Sequence, residues 1–138
     1  VLFPQTLKAL STLPVYCLDQ DPFEVFFSFL KPSHSIAPHF GQSNHALTVH
    51  LPLDIPPDCF LKVGSEKRSW QQDEVLVFDD SFLHSAHNQS ERIRVVLIFS
   101  IWHPDLSGDE RIAIQESFKA RQQWTLERPA QLNKLRLA

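Results

Sequence analysis

The sequence predicts a mainly β fold, an antiparallel sandwich or jelly roll with a helix at each end. Short segments rich in valine, leucine, isoleucine and phenylalanine recur along the middle of the chain. Ten prolines and only three glycines punctuate the sequence. Short strands bounded by turn residues at such intervals are typical of all-β sandwiches. The two ends of the chain have patterns typical of helices instead.

Several segments have the length and composition of strands. Residues 46–53 alternate most clearly, with Leu47 and Val49 on one face and Thr48 and His50 on the other. The remaining segments are mostly apolar or aromatic and adjoin turn residues. The predicted strands are 25–30, 46–53, 59–63, 74–78 and 93–102.

Both ends of the chain are predicted to be helical. Ser107 and Glu110 have the spacing of a capping box, which marks a helix N-terminus. The sequence then continues without proline or glycine, which predicts a helix over about 108–125. Residues 2–10 are predicted to form a short helix, and residues 128–138 a tail or an extra helix.

Length and composition favour one ordinary soluble domain spanning residues 1–138. The chain is 43% hydrophobic with a formal net charge of −3 and has no cluster of basic residues, so no nucleic-acid partner is expected. No apolar run approaches the roughly 20 residues that span a bilayer, and we expect no membrane contact from this domain. Residues 1–4 do not resemble a signal peptide, and the absence of methionine suggests a piece of a longer chain; a cytoplasmic location is expected. Cys17 and Cys59 are expected to be free thiols.

Two histidines in similar surroundings are the strongest sign of chemistry. His39 lies within residues 38–44 (PHFGQSN), and His84 ends residues 78–84 (FDDSFLH). Two neutral imidazoles with carboxylate or water ligands suit a divalent transition metal. Arg94 follows inside an apolar run, where its planar guanidinium would need an anion such as an organic carboxylate. Together these residues suggest an iron site that activates oxygen beside a bound dicarboxylic acid.

A set of motifs in fixed order identifies a family. The motifs are SFLKP at 28–32, PHFGQSN at 38–44, HLPL at 50–53, VFDDSFLH at 77–84, RVVLI at 94–98 and WHPDL at 102–106. In this order they resemble the aspartyl/asparaginyl β-hydroxylase family over about residues 25–106. The resemblance implies a double-stranded β-helix (cupin-like) fold, Fe(II) as metal and 2-oxoglutarate as co-substrate. It also implies hydroxylation by O₂ of an aspartyl, asparaginyl or related amino-acid substrate, free or in a peptide or protein, with release of succinate and CO₂.

The resemblance also implies how the metal is held. His39 and His84 match the two protein ligands. Most 2-oxoglutarate oxygenases add a carboxylate two residues after the first histidine, but Gly41 stands there. Water is then expected in the vacated place, positioned by the carboxylate of Asp80. Asp79 is the rival for that role and is expected to stabilise the turn.

The co-substrate residues follow the family pattern with one departure. Arg94 and Ser28 match the residues that hold the distal carboxylate of 2-oxoglutarate, and His50 matches a further co-substrate contact. The alternative is that His50 is a third metal-ligating histidine, in a metal cupin of another reaction class. The family has arginines where this chain has Ala46 and Thr48. Threonine at this co-substrate position offers a hydroxyl but no charge, and losing a charge-assisted hydrogen bond costs about 1.5–3 kcal/mol.

Three outcomes of this departure stay open. Co-substrate binding is weaker, another residue such as His45 or Lys62 compensates, or the domain has become a cupin-fold binding module without 2-oxoglutarate turnover.

Overall fold

The computed structural model describes residues 3–18, 21–22 and 24–136, and two four-stranded antiparallel sheets dominate it. The elements in chain order are α1 (Pro4–Leu10), β1 (Cys17–Leu18), β2 (Asp21–Pro22), β3 (Val25–Leu30), β4 (His34–His39), β5 (Ala46–Asp54), β6 (Cys59–Val63), β7 (Glu66–Ser69), β8 (Leu76–Phe78), β9 (His84–Asn88), β10 (Arg94–Trp102) and α2 (Gly108–Arg136).

The strand order is that of a jelly roll. The first sheet has the order β3-β10-β5-β8, and the second has the order β4-β9-β6-β7. Consecutive strands mostly alternate between the two sheets, so the chain winds around a shared interior. The predicted fold class, a mainly β double-stranded β-helix with helices at both ends, is confirmed.

Residues of β10 alternate between the two faces of the first sheet. Val96 is fully buried and packs with Leu61 and Ala86 of the second sheet, so this face is the interior of the sandwich. Leu97 belongs to a second cluster on the opposite face, beneath Leu10 of α1. The period of two along a strand therefore lets one central strand serve both clusters.

The predicted strands agree closely with the structure, with one correction. Segments 25–30 and 59–63 have the predicted bounds, and 46–53 and 93–102 each differ by one residue. The prediction for 74–78 is wrong at its start, because Asp73 has a positive φ of 65° and the Glu74 amide donates to the Gln71 carbonyl in a turn.

Five strands of the described residues lie outside the sequence predictions: the two-residue strands β1 and β2, and β4, β7 and β9. All six residues of β4 and all four of β7 are exposed, so neither has the apolar alternation that marks a half-buried strand. His39 is the last residue of β4 and His84 the first of β9. Both histidines therefore lie at strand ends.

Among the described residues, helix α1 is shorter than predicted and helix α2 is longer. Helix α1 begins at Pro4, and Leu2 of the predicted segment lies outside the described residues. The capping box is present, since Ser107 N–H donates to Glu110 Oε2 at 2.8 Å and Glu110 N–H donates to Ser107 Oγ at 3.3 Å. Helix α2 runs on to Arg136, so the prediction that it ends near 125 is wrong, and the following segment belongs to the same helix.

Two further predictions concern thiols and membranes. Cys59 is a free thiol, as predicted, and the Cys17 Sγ–H donates to the Val15 carbonyl at 3.3 Å. Across the described ranges, neither helix combines the length and apolar character needed to cross a bilayer.

Candidate active site

A cavity of about 240 Å³ lies between the two sheets and collects the predicted functional residues. All seven of them line it: Ser28, His39, Thr48, His50, Asp80, His84 and Arg94. They come from five strands and the loop after β8, and the jelly-roll winding brings them together. Two elements of the second sheet supply the histidine pair, and the first sheet supplies Arg94, Ser28, Thr48 and His50.

His39 and His84 face each other as cross-strand partners on β4 and β9. Their ring centroids are 4.1 Å apart and the rings are tilted by 55°. The register of β4 shifts between Ile36 and His39, where one extra residue bulges. Ile36 and His39 are three residues apart and would otherwise face opposite sides, so the bulge is what lets both line the cavity. Pro38 lies within this bulge, a place where a missing N–H is tolerated.

Hydrogen bonds fix the same tautomer in both imidazoles. His39 Nδ1 lies 2.8 Å from the Ala37 carbonyl oxygen, and His84 Nδ1 lies 2.9 Å from the Phe82 carbonyl oxygen. A carbonyl only accepts, so each Nδ1 carries the proton and each Nε2 keeps a free lone pair. A histidine whose Nδ1–H is bonded to a carbonyl and whose Nε2 is free is the usual form of a metal ligand. The pair can therefore hold a divalent transition metal.

The carboxylate of Asp80 fills the space beside Gly41. A Cβ atom on Gly41 would collide with the Asp80 carboxylate, and Gly41 N–H donates to the Asp80 carbonyl at 2.7 Å. Asp79 instead accepts the Ser81 N–H at 2.9 Å and stabilises the turn, as expected. Asp80, rather than Asp79, thus presents a carboxylate to the cavity beside the two histidines.

Arg94 is a buried cation without a protein anion. Its residue is 1% exposed, and across the described part of the chain its Nε has no hydrogen-bond partner and no carboxylate pairs with it. Nη1 donates to Ser28 Oγ at 3.4 Å, and the guanidinium carbon lies 4.9 Å from the centre of the Trp70 ring. Burial lowers the pKa of Arg94 to about 10, which leaves it charged at neutral pH. A buried charge with spare donors can take an organic carboxylate.

His50 is held as a neutral hydrogen-bond donor. Trp70 Nε1–H donates to His50 Nδ1 at 3.1 Å, and the two rings stack. Burial, and secondly the neighbouring Arg94 and His84, lower the pKa of His50 to about 3. The proton of the neutral ring therefore sits on Nε2, so that nitrogen donates and has no lone pair for a metal. This tautomer argues against the three-histidine alternative, and no three His, Cys, Asp or Glu side chains of the described residues converge as a metal cluster.

Neither of the two residues considered as cationic substitutes for the family arginines at Ala46 and Thr48 lines the cavity. Thr48 is buried and lines it. Lys62 is exposed on β6, and the ring of His45 packs against Trp102 and Tyr16. Neither Lys62 nor His45 lines the cavity, so neither is placed there to substitute for the missing arginines.

Sequence reasoning missed several residues that line the cavity or contact its side chains. Glu24 and Phe26 precede Ser28 at intervals of two, so the alternation of β3 was a usable signal for both. Trp70 had no such signal, because it follows β7 and reaches Arg94 and His50 only through the fold.

A wider groove of about 760 Å³ lies beside the cavity. It runs along β7 and β8, the edge strands of the two sheets, and shares Leu61 and Phe78 with the cavity. None of the seven predicted functional residues lines this groove. The larger opening is therefore not where the chemically active side chains meet.

Comparison with known proteins gives a family match over most of the chain. Residues 1–104 match the family model described as Aspartyl/Asparaginyl beta-hydroxylase. Aspartate beta-hydroxylase domain-containing protein 2 of Xenopus tropicalis is 35% identical over 118 residues, which is 83% of this chain and 32% of that protein. Aspartate beta-hydroxylase domain-containing protein 1 of Mus musculus is 43% identical over 95 residues, 67% of this chain and 26% of that protein. The chain thus spans about a third or less of the length of these relatives.

A further relative and a solved structure are also similar to this chain. Aspartyl/asparaginyl beta-hydroxylase of Homo sapiens is 34% identical over 89 residues, 64% of this chain and 12% of that protein. The crystal structure of the Cupin_2 domain of an XRE family transcriptional regulator from Enterobacter cloacae is 16% identical, with a TM-score of 0.49, and covers 57% of this chain and 80% of that one.

Proposed function

The chain belongs to the aspartyl/asparaginyl β-hydroxylase family, and from this premise we propose that it is an Fe(II)- and 2-oxoglutarate-dependent dioxygenase. Its substrate is an aspartyl, asparaginyl or related amino-acid residue, free or in a peptide or protein. The observation that carries the proposal is one cavity with two metal-competent imidazoles and a buried arginine that lacks an anion.

The metal would be held by Nε2 of His39 and Nε2 of His84. These two donors with no third protein ligand suit Fe(II), because an oxygenase needs open positions for co-substrate and O₂. The Asp80 carboxylate would accept hydrogen bonds from a metal-bound water and so orient it without itself ligating the metal. Gly41 leaves room for the Asp80 carboxylate, since a side chain at this position would displace it.

The co-substrate would lie with its distal carboxylate on Arg94. Ser28 Oγ sits within 3.4 Å of the Arg94 guanidinium and can donate to the same carboxylate. His50 Nε2–H is a neutral donor fixed by Trp70 and can bond an oxygen of the metal-proximal end. The Trp70 ring and the core around Val96 exclude water from this end, which strengthens the charge pairing.

Bound Fe(II) with 2-oxoglutarate supplies the oxidation: one atom of O₂ goes to the substrate C–H as a hydroxyl, and the other to succinate as CO₂ leaves. The chain's residues bind, orient and desolvate the reactants, and the redox chemistry belongs to metal and co-substrate.

The direct test is succinate formation from 2-oxoglutarate with Fe(II) in air. We expect turnover by the wild type and loss of at least about a hundredfold for His84→Ala, which removes one of two ligands. His34→Ala is the matched control, because His34 is an exposed histidine on the same strand as His39 and lies outside the cavity. Absence of Fe(II)-dependent succinate, with or without peptides, would contradict the proposal.

A second candidate function is a binding module that keeps the fold but not the turnover. The neutral residues Ala46 and Thr48 favour it, because the cavity then has one arginine for a dianionic co-substrate. Calorimetry with 2-oxoglutarate and a redox-inert divalent ion separates the two functions. Binding supports the enzyme, and no binding supports the module.

A further inference from the structure

Glu24 lies at the open end of the candidate active site. Glu24, Phe26 and Ser28 alternate along one face and all line the cavity. Ser28 contacts Arg94, which is 1% exposed, whereas Glu24 is exposed. The row of side chains from Ser28 through Phe26 to Glu24 therefore runs from the buried co-substrate end of the cavity to its mouth. Glu24 is the outermost of the three.

The mouth of the cavity is acidic and unneutralised by protein. The charge of Asp80 is near enough to Glu24 to raise its pKa, after the larger effect of burial. Within the described ranges, no lysine or arginine forms an ion pair with Glu24 or Asp80. The cavity's cation, Arg94, lies at the opposite end, buried and with an unpartnered Nε.

A charge count shows which group is left over when the site is full. In the sum of charges, a bound Fe²⁺ would offset the two carboxylates of 2-oxoglutarate, and Arg94 would offset one further negative charge, equal to that of Asp80. His50 is neutral, and Thr48 adds no charge. Glu24 remains as the uncompensated charge of the loaded cavity, placed where a substrate must enter. A cationic group is the partner that such a position favours.

We propose that Glu24 is a specificity-determining residue that binds the ammonium or guanidinium of the substrate. The substrate is then a polypeptide segment with lysine or arginine at or next to the residue that reacts. A segment whose only charges are carboxylates is disfavoured by repulsion from Glu24. This inference rests on the proposed function, because the substrate is placed at the same metal.

The test measures peptide binding without turnover. The protein is loaded with Zn²⁺ and 2-oxoglutarate, and fluorescence anisotropy follows three pools of labelled nonapeptides. Each pool has a central asparagine, and its flanking positions are drawn from Lys and Arg, from Asp and Glu, or from Gln and Ser. We expect the wild type to bind the basic pool about fivefold more tightly than the neutral pool, as one partly exposed ion pair allows. The acidic pool should bind more weakly than the neutral one.

Charge variants separate the effect of Glu24 on peptide binding from the effect of the chain's net charge of −3. Glu24→Gln should abolish the preference for the basic pool, and Glu24→Lys should invert it. Glu91→Gln and Glu91→Lys change the net charge equally at an exposed residue outside the cavity, and should keep the preference. Equal binding of all pools by the wild type, binding of none, or a basic preference retained by Glu24→Lys would overturn the inference. Matching thermal midpoints show that the variants are folded.

Succinate formation by the same preparations distinguishes the two proposals. Succinate formation without a Glu24-dependent charge preference would contradict this inference but support the proposed function. A Glu24-dependent preference without turnover removes the proposed function and leaves the recognition of a cation.

Discussion

The carboxylate of Asp80 occupies the space where a side chain at Gly41 would begin. The Gly41 N–H also donates to the Asp80 carbonyl at 2.7 Å, so the two segments are held together by their backbones. Gly41 follows β4 and Asp80 follows β8, and the second sheet therefore presents His39 next to a carboxylate from another loop. A glycine is needed here because of this close approach, since φ of Gly41 is not positive.

Gly41→Ala tests that relationship. The added methyl must push the Asp80 carboxylate away, and overpacking of this kind costs about 1–3 kcal/mol of unfolding free energy. We also expect loss of succinate formation if Asp80 positions a metal-bound water. Urea denaturation and the succinate assay measure the two effects.

Gly108→Ala is the matched control for Gly41→Ala. A Cβ on Gly108 meets nothing within 4 Å, and the residue opens helix α2. Stability should be unchanged or higher by about 0.4–1 kcal/mol. Equal destabilisation by both substitutions would show that the Asp80 contact is not the cause.

Metal binding should depend on two histidines and not on the third. His39→Ala and His84→Ala should each abolish stoichiometric binding of one divalent ion per chain, as measured by elemental analysis after gel filtration. His50→Gln should retain the ion, because Trp70 fixes the His50 proton on Nε2. Loss of metal with His50→Gln would instead support the three-histidine site. Added metal should raise the thermal midpoint of the wild type, since it binds only the folded chain.

Arg94→Met should separate co-substrate binding from stability. Calorimetry with Zn²⁺ present should show a 2-oxoglutarate affinity lower by ~10- to 100-fold, the loss of a charge-assisted contact. The unfolding free energy without ligand should be unchanged or higher, because an apolar side chain replaces an unpaired buried charge. The control is Arg92→Met, since Arg92 is an exposed residue paired with Asp54 at 2.9 Å and should leave the affinity unchanged. An unchanged 2-oxoglutarate affinity in Arg94→Met would contradict the placement of the distal carboxylate on Arg94.

The pKa of His50 predicts a pH dependence of stability. The folded pKa is about 3 and the reference value is 6.5, so between these pH values the unfolded chain binds a proton that the folded chain does not. Stability therefore rises with pH across this window and is lost as the pH falls, at up to about 1.4 kcal/mol per pH unit for one proton. In metal-free protein, His50→Gln should show a shallower decrease than the wild type in urea denaturation from pH 7 to pH 4. Parallel curves for the two proteins would contradict a buried neutral imidazole.

The candidate-site residues could be predicted where they lie in a recognisable strand pattern or a short sequence motif. Ser28, Thr48 and His50 lie on strands whose apolar pattern was visible, and His39 and His84 lie in distinctive motifs. Glu24 was within reach of the same alternation. Trp70 was not, because its partners Arg94 and His50 are brought to it by the packing of one sheet on the other.

The amino-acid sequence alone predicts the β-rich fold class, the central strands, the family and seven of the residues that line the cavity. Buried strands and chemical motifs both require particular residue types at particular spacings, so these features are visible in the sequence. Only the tertiary structure decided the exposed edge strands, the bulge that turns His39 inward and the protonated nitrogen of His50. It also decided the contact between Gly41 and Asp80. The physical reason is that these features depend on cross-strand partners far apart in the chain, and no local pattern of apolar and polar residues records which partner a backbone or side-chain group will meet.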